Sequence, residues 1–184
     1  MQRDKSQSQS AAGAAPAADG GRTPLAAEEF HGALPPGARL IGIDVGTKTL
    51  GLALSDVTRT IASPLETIRR KKFAIDAARL LHLAGEHRIG GFVVGLPANL
   101  DASEGPRAQS TRAFARNLAR LTPLPILLWD ERLSTVEAER VLIAADASRK
   151  RRAEVIDKVA ATIILQTALD RLRRFNAQHE IGAG

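Results

Sequence analysis

Three carboxylates placed far apart in this chain are of the kind that can hold a divalent cation. Asp44 interrupts the apolar run RLIGIDVG, Glu131 follows Asp130 at the end of PILLWDE, and Asp157 opens the apolar part of VIDKVAATIIL. A charge buried without a partner on a central strand costs several kcal/mol, so Asp44 must be paired, protonated or bound to a cation. Oxygen donors unaccompanied by His or Cys match what Mg²⁺ or Mn²⁺ prefers. Two such ions can activate a water and stabilise the leaving oxygen of a phosphodiester. The chemistry on offer is metal-assisted phosphodiester hydrolysis. Spacing alone fits a plainer alternative equally well. Asp44 could accept from Gly46 and Thr47 in a capped turn, Asp130 could pair with Arg132, and Asp157 could cap its own helix.

The elements that must position these acids follow from periodicity. RLIGIDVG, TLGLALSD and PLETIRR read as a short antiparallel meander, with Thr47 and Lys48 in the first turn. FAIDAARLLHLAGEHR places Phe73, Ala77, Leu80, Leu81 and Ala84 on one helical stripe, and GGFVVGLP follows as a short buried strand. RAQSTRAFARNLARL is a second amphipathic helix through Phe114, Leu118 and Leu121, before the strand PILLWDE. Alternation of helix and strand here predicts right-handed crossovers and a parallel section of sheet. Asp130 and Glu131 must then face opposite sides of the sheet, so at most one of them shares a side with Asp44. STVE is a capping box that predicts a helix from about 134 to 145. After the interruption ASRKRRAE, a long last helix is expected to face the sheet through Ile156, Ala160, Ile163, Thr167 and Leu172. Ala160 and Ala161 let the Asp157 side of that helix come close to the sheet. The fold class is α/β, with a mixed five-stranded sheet flanked by helices.

Composition narrows the partner. Lys plus Arg number 26 against 20 for Asp plus Glu, a formal net charge of +6 and a pI near 10.5. Through residue 38 three basic residues (Arg3, Lys5, Arg22) stand against four acidic ones (Asp4, Asp19, Glu28, Glu29), so the whole positive excess lies in the folded part, where it favours an anionic partner. With five Phe, one Trp and no Tyr, base-stacking platforms are not expected. The absence of Cys excludes disulfides and thiolate metal sites and fits a reducing, cytoplasmic location. No apolar run is long enough to span a membrane. Residues 1–38, rich in Ala, Gly, Pro, Ser and Gln, read as a disordered tail with at most one helical turn at TPLAAEEF; residues 39–175 are the domain, and 176–184 a flexible end. His82, His87 and His179 read as surface residues, and His31 as part of the tail.

IGIDVGTKTLGLALSD, VVGLP, DERLSTVEAE and VIDKVAATIIL, in this order and at short intervals, resemble the YqgF or RuvX family of precursor 16S rRNA nucleases and Holliday-junction-resolvase-like proteins. The resemblance runs from about Arg39 to Leu172. It implies a ribonuclease H-like fold, hydrolysis of nucleic acid, and a metal, Mg²⁺ or Mn²⁺, held by catalytic Asp44, Glu131 and Asp157. It also implies trimming of the 5′ end of the small-subunit rRNA precursor during ribosome biogenesis, with ribosomal particles as a further partner. Beside that site, Lys48 and Arg132 are positioned either to reach the scissile phosphate or to neutralise an adjacent acid. Arg149, Lys150, Arg151 and Arg152 read as a solvated loop or, beside a metal, as a phosphate clamp. One departure is Asp101-Ala102, where the family pattern often has Asp-Gly. Precursor rRNA is the first substrate expectation, and structured DNA the second. Junction resolution would need a homodimer, whereas rRNA trimming works equally for a monomer. A non-catalytic ribosome-assembly factor would use the same basic sheet. An actin-like ATPase, which shares the DxGT signature, would need two domains, and the chain from Arg39 is long enough for one.

Overall fold

The computed structural model describes residues 23–97, 105–130 and 149–181, with side chains from 158 to 175 in the last stretch. Strand β1 (Arg39–Val45) is central. It pairs antiparallel with β2 (Thr49–Ser55), which pairs antiparallel with β3 (Ala62–Arg69); on its other side β4 (Ile89–Leu96) and then β5 (Ile126–Asp130) run parallel to it. The order β3-β2-β1-β4-β5, meander first and crossovers second, is the ribonuclease H-like arrangement.

Strand alternation divides the core in two. Ile41, Ile43, Leu50, Leu52, Phe92 and Val94 point to one face, where α2 (Phe73–Glu86) and α3 (Pro106–Ala119) cover them with Ala77, Leu80, Phe114 and Leu118. Leu40, Ala53, Val93, Leu127 and Trp129 point to the other, beneath α4 (Arg149–Ile181) and α1 (Ala27–Gly32). In α2 the expected Ala77, Leu80 and Ala84 are buried, with Leu83 added, while Phe73 and Leu81 pack at the margin. Leu121, expected on the α3 stripe, lies beyond the helix and is exposed because α3 ends at Ala119.

The last helix differs more. Its buried stripe is Ala161, Ile164, Leu165, Ala168, Leu169, Leu172 and Phe175. Of the expected set Leu172 belongs to it, Ala160, Ile163 and Thr167 lie one residue off it and are half-buried, and the Ile156 side chain is outside the described residues. Thr167 lies beside the stripe, where its hydroxyl accepts from Trp129 Nε1 at 2.9 Å. Residues 149–152 are the first turn of α4 and not a loop, and the helix runs past 175 to Ile181.

Residues 23–38 are also folded, contrary to a disordered segment reaching residue 38. The Leu25 amide donates to the Ile126 carbonyl at 2.8 Å, and Phe30 is 0% exposed. The physical reason lies in β4. A methyl group on Gly91 would come within 2.9 Å of Phe30 and 3.0 Å of Leu34, so the glycine leaves the hollow these side chains fill. His31, in turn, packs against Phe175 with ring centroids 6.2 Å apart. No helix among the described residues is long and apolar enough to cross a membrane. The helix expected at 134–145 and the Asp101-Ala102 turn lie outside the described residues.

Candidate active site

β1, β4 and β5 are parallel, so their carboxyl ends open on the same edge of the sheet, the edge at which ligands bind in open sheets of this type. Asp44 is the sixth residue of β1's seven. It shares a face with Leu40 and Gly42, the face crossed by α4. On β2 its direct partner is Gly51. The parallel register pairs Ile43 with Val94, which brings Gly95 alongside Asp44 on β4. Glycine therefore flanks Asp44 in register on both neighbouring strands, and its carboxylate is half-buried.

The approach of α4 is equally specific. A methyl group at Gly42 would lie 2.6 Å from Leu165 Cβ and 2.9 Å from the Ala161 carbonyl oxygen, so helix and strand nearly touch there. Further along α4, Gln166 bonds the far end of the meander: its Oε1 accepts from the Ala62 amide at 2.9 Å and its Nε2 donates to the Thr60 carbonyl at 3.0 Å. Ala62 pairs with Ser55, whose hydroxyl accepts from the Leu40 amide at 2.9 Å near the start of β1. α4 thus runs roughly antiparallel to β1. One helical turn before Ala161, the helix backbone brings position 157 towards the Asp44 end.

Asp130 takes the opposite side. It ends β5 on the face of Ile126 and Leu128, and pairs in register with Leu96. Glu131 and Arg132 lie outside the described residues, as do the side chains of Asp157 and of Arg149, Lys150, Arg151 and Arg152. Among the described residues no three His, Asp or Glu side chains cluster as metal ligands. Lys48 is exposed in the β1–β2 turn, four residues after Asp44.

That turn is held by two residues that sequence reasoning did not single out. Arg70 donates through NH1 to the Gly46 carbonyl at 2.8 Å and through its amide to the Lys48 carbonyl at 2.9 Å. Its guanidinium lies 3.8 Å from the Asp76 carboxylate, which is 1% exposed, and 5.9 Å from the centroid of the Phe114 ring. Asp76, in the first turn of α2, also accepts from the Lys71 amide at 3.0 Å. An Asp on the apolar stripe of a helix, three residues before Arg79 and four before Leu80, was the available signal.

A separate cavity of about 430 Å³ opens at the amino end of β5, lined by Thr23, Leu25, Ala33, Ala119, Pro123, Leu124, Pro125 and Ile126. None of these residues is ionisable, so acid–base or metal chemistry has no groups there.

A family model described as "RuvX: Holliday junction resolvase" matches residues 38–171. A protein of Rhodobacter capsulatus named "Putative pre-16S rRNA nuclease" is 62% identical over 152 residues, covering 83% of this chain and 96% of that protein. One of Cereibacter sphaeroides with the same name is 66% identical over 145 residues, covering 79% and 91%. Among solved structures, T. thermophilus RuvC in complex with a Holliday junction substrate has a TM-score of 0.48 at 16% identity, covering 69% of this chain and 91% of that one.

Proposed function

The chain belongs to the RuvX family, and from that premise we propose that it is a divalent-metal-dependent nuclease that processes the 5′ end of precursor 16S rRNA. The observation that carries this reading is the setting of Asp44: half-buried, on the central strand, between Gly51 and Gly95, on the face that α4 approaches. A half-buried carboxylate at the carboxyl end of a central strand suits a hard cation that keeps several of its waters. In this reading Asp44, Glu131 and Asp157 hold Mg²⁺ or Mn²⁺, which requires of Glu131 that β5's alternation continue one residue past Asp130. When bound, the metal supplies a water of lowered pKa and charge stabilisation at the leaving oxygen.

The protein's own residues do the rest. Arg70 and Asp76 fix the turn that follows Asp44, so its carboxylate is presented from a backbone held at both ends. Lys48, on that turn, and Arg132 neutralise charge at the scissile phosphate. Arg149, Lys150, Arg151 and Arg152 grip the phosphodiester backbone from the start of α4, with an affinity that falls as salt rises. The setting we assign is the cytoplasm, with maturing ribosomal particles as partners.

The family description favours a second reading, resolution of four-way DNA junctions by a homodimer. One assay separates the two. Precursor 16S rRNA and a synthetic four-way junction are incubated in parallel with the full chain and Mg²⁺ or Mn²⁺, with and without chelator. Chelator-sensitive cutting of the rRNA is the expected result. Cutting of the junction alone would select the resolvase, and cutting of neither would leave a binding protein.

A further inference from the structure

Strand β3 ends in a run of cations, Arg69, Arg70, Lys71 and Lys72, to which the reading above gives no substrate. Their backbone is fixed at three points. Arg69 pairs with Thr49, the Arg70 amide donates to Lys48, and the Lys71 amide donates to the buried Asp76 carboxylate. Arg70 alone turns inward, to Asp76, Gly46 and Phe114. Arg69, Lys71 and Lys72 remain exposed, with exposed Lys48 beside them, and none of the four forms an ion pair among the described residues. The two nearby acids are occupied: Glu66 binds Arg79 at 2.6 Å, and Asp76 is buried beneath the run. A buried carboxylate thus organises a ledge of four uncompensated positive charges at the Asp44 end of the sheet.

The register gives the ledge its distance from the candidate site. Thr67 pairs with Gly51, which pairs with Asp44, so β3 passes two strands away, about 10 Å. Arg69 follows Thr67 on the same face as Asp44. At a rise of about 3.4 Å per nucleotide, that is roughly three nucleotides along a strand. The chain's few aromatics favour contact with phosphates over stacking on bases.

We propose that Arg69, Lys71 and Lys72, with Lys48 at the inner end, form a subsite that binds the phosphodiester backbone of a nucleic acid strand on the β3 side of Asp44. The position of the cut relative to this subsite rests on the nuclease reading; binding itself does not. The ledge lies on the opposite side of Asp44 from β4 and β5, so it extends the bound strand across the meander.

The test measures affinity of the full chain for a short single-stranded RNA against salt, in chelator, for the wild type and for R69Q/K71Q/K72Q. A control variant, R88Q/R116Q/R120Q, removes the same charge from exposed positions near the amino ends of β4 and β5. Each phosphate contact contributes about 0.7 to the slope of log affinity against log salt. The ledge variant should therefore have a slope shallower by about 2, so that a fourfold rise in salt costs the wild type roughly 20-fold more affinity than the variant. The control should keep the wild-type slope. Equal slopes for ledge variant and wild type, or equal loss in both variants, would overturn the proposal. Should the triple variant fail to fold, Lys72→Glu alone must weaken binding more than Arg120→Glu. Ledge-dependent binding without cleavage would retire the nuclease reading and keep the ledge; cleavage with a ledge-independent slope would do the reverse.

Discussion

Two aspartates other than Asp44 illustrate how local partners decide what a carboxylate does. Asp56, after β2, is partly buried, which opposes ionisation. That is outweighed by the amides of Ile61 at 2.9 Å and Thr60 at 2.7 Å, together with the hydroxyls of Thr58 and Thr60. These bonds hold its carboxyl well below the usual carboxylate range. A depressed folded value means that the stabilisation is complete above the unfolded value, near pH 4, and is lost as pH falls below it. Asp56→Ala should destabilise the protein by about 1–3 kcal/mol at neutral pH and flatten the acid limb of its stability curve, measured by urea unfolding from pH 2 to 7. Asp76 is different, because it is buried against Arg70 and its removal strands a guanidinium beside Phe114. Asp76→Ala should cost about 3 kcal/mol and lower the melting midpoint by roughly 6–12 °C in calorimetry.

Among the elements, the contact between β1 and α4 governs the site. Gly42→Val would drive its side chain into Leu165 and the Ala161 carbonyl, push α4 away and cost at least about 1–3 kcal/mol. Activity should fall further than stability, and a thermal melt beside a cleavage assay reads both. Much of this scale was legible beforehand. The meander and the parallel section followed from period and order, and small Ala160 and Ala161 correctly announced a close approach of the last helix. What the pattern missed has physical causes. Apart from Leu172, the described part of the α4 stripe lies one residue on from the expected set, because Ala160, Ile163 and Thr167 are as apolar or as compact as the residues that are buried. Contacts such as the Trp129–Thr167 bond, the Gln166 bonds to the meander and the close approach at Gly42 orient the helix, and all depend on tertiary contact. α1 was legible only as one helical turn at TPLAAEEF in Ala- and Pro-rich surroundings, although Gly91 early in β4 leaves the hollow that Phe30 and Leu34 occupy. At the site itself, DxGT and its order relative to later blocks were visible. The glycines flanking Asp44 and the Arg70–Asp76 brace became apparent only once strand register paired residues far apart in sequence.

For the molecule as a whole, the +6 charge is unevenly distributed, since the described carboxyl end of the sheet combines the half-buried Asp44 and Asp130 with the exposed cations Lys48, Arg69, Lys71 and Lys72. Such a surface attracts a polyanion generally, and in the proposed reading the acids at its centre select the cut. The account therefore turns on Asp44, and the most direct measurement is single-turnover cleavage of a precursor 16S rRNA fragment in Mg²⁺ or Mn²⁺ by wild type and Asp44→Asn. The substitution should slow cleavage by roughly 10²–10³-fold or more, with RNA affinity and melting midpoint near those of the wild type. Cleavage at the wild-type rate by folded Asp44→Asn would contradict the account.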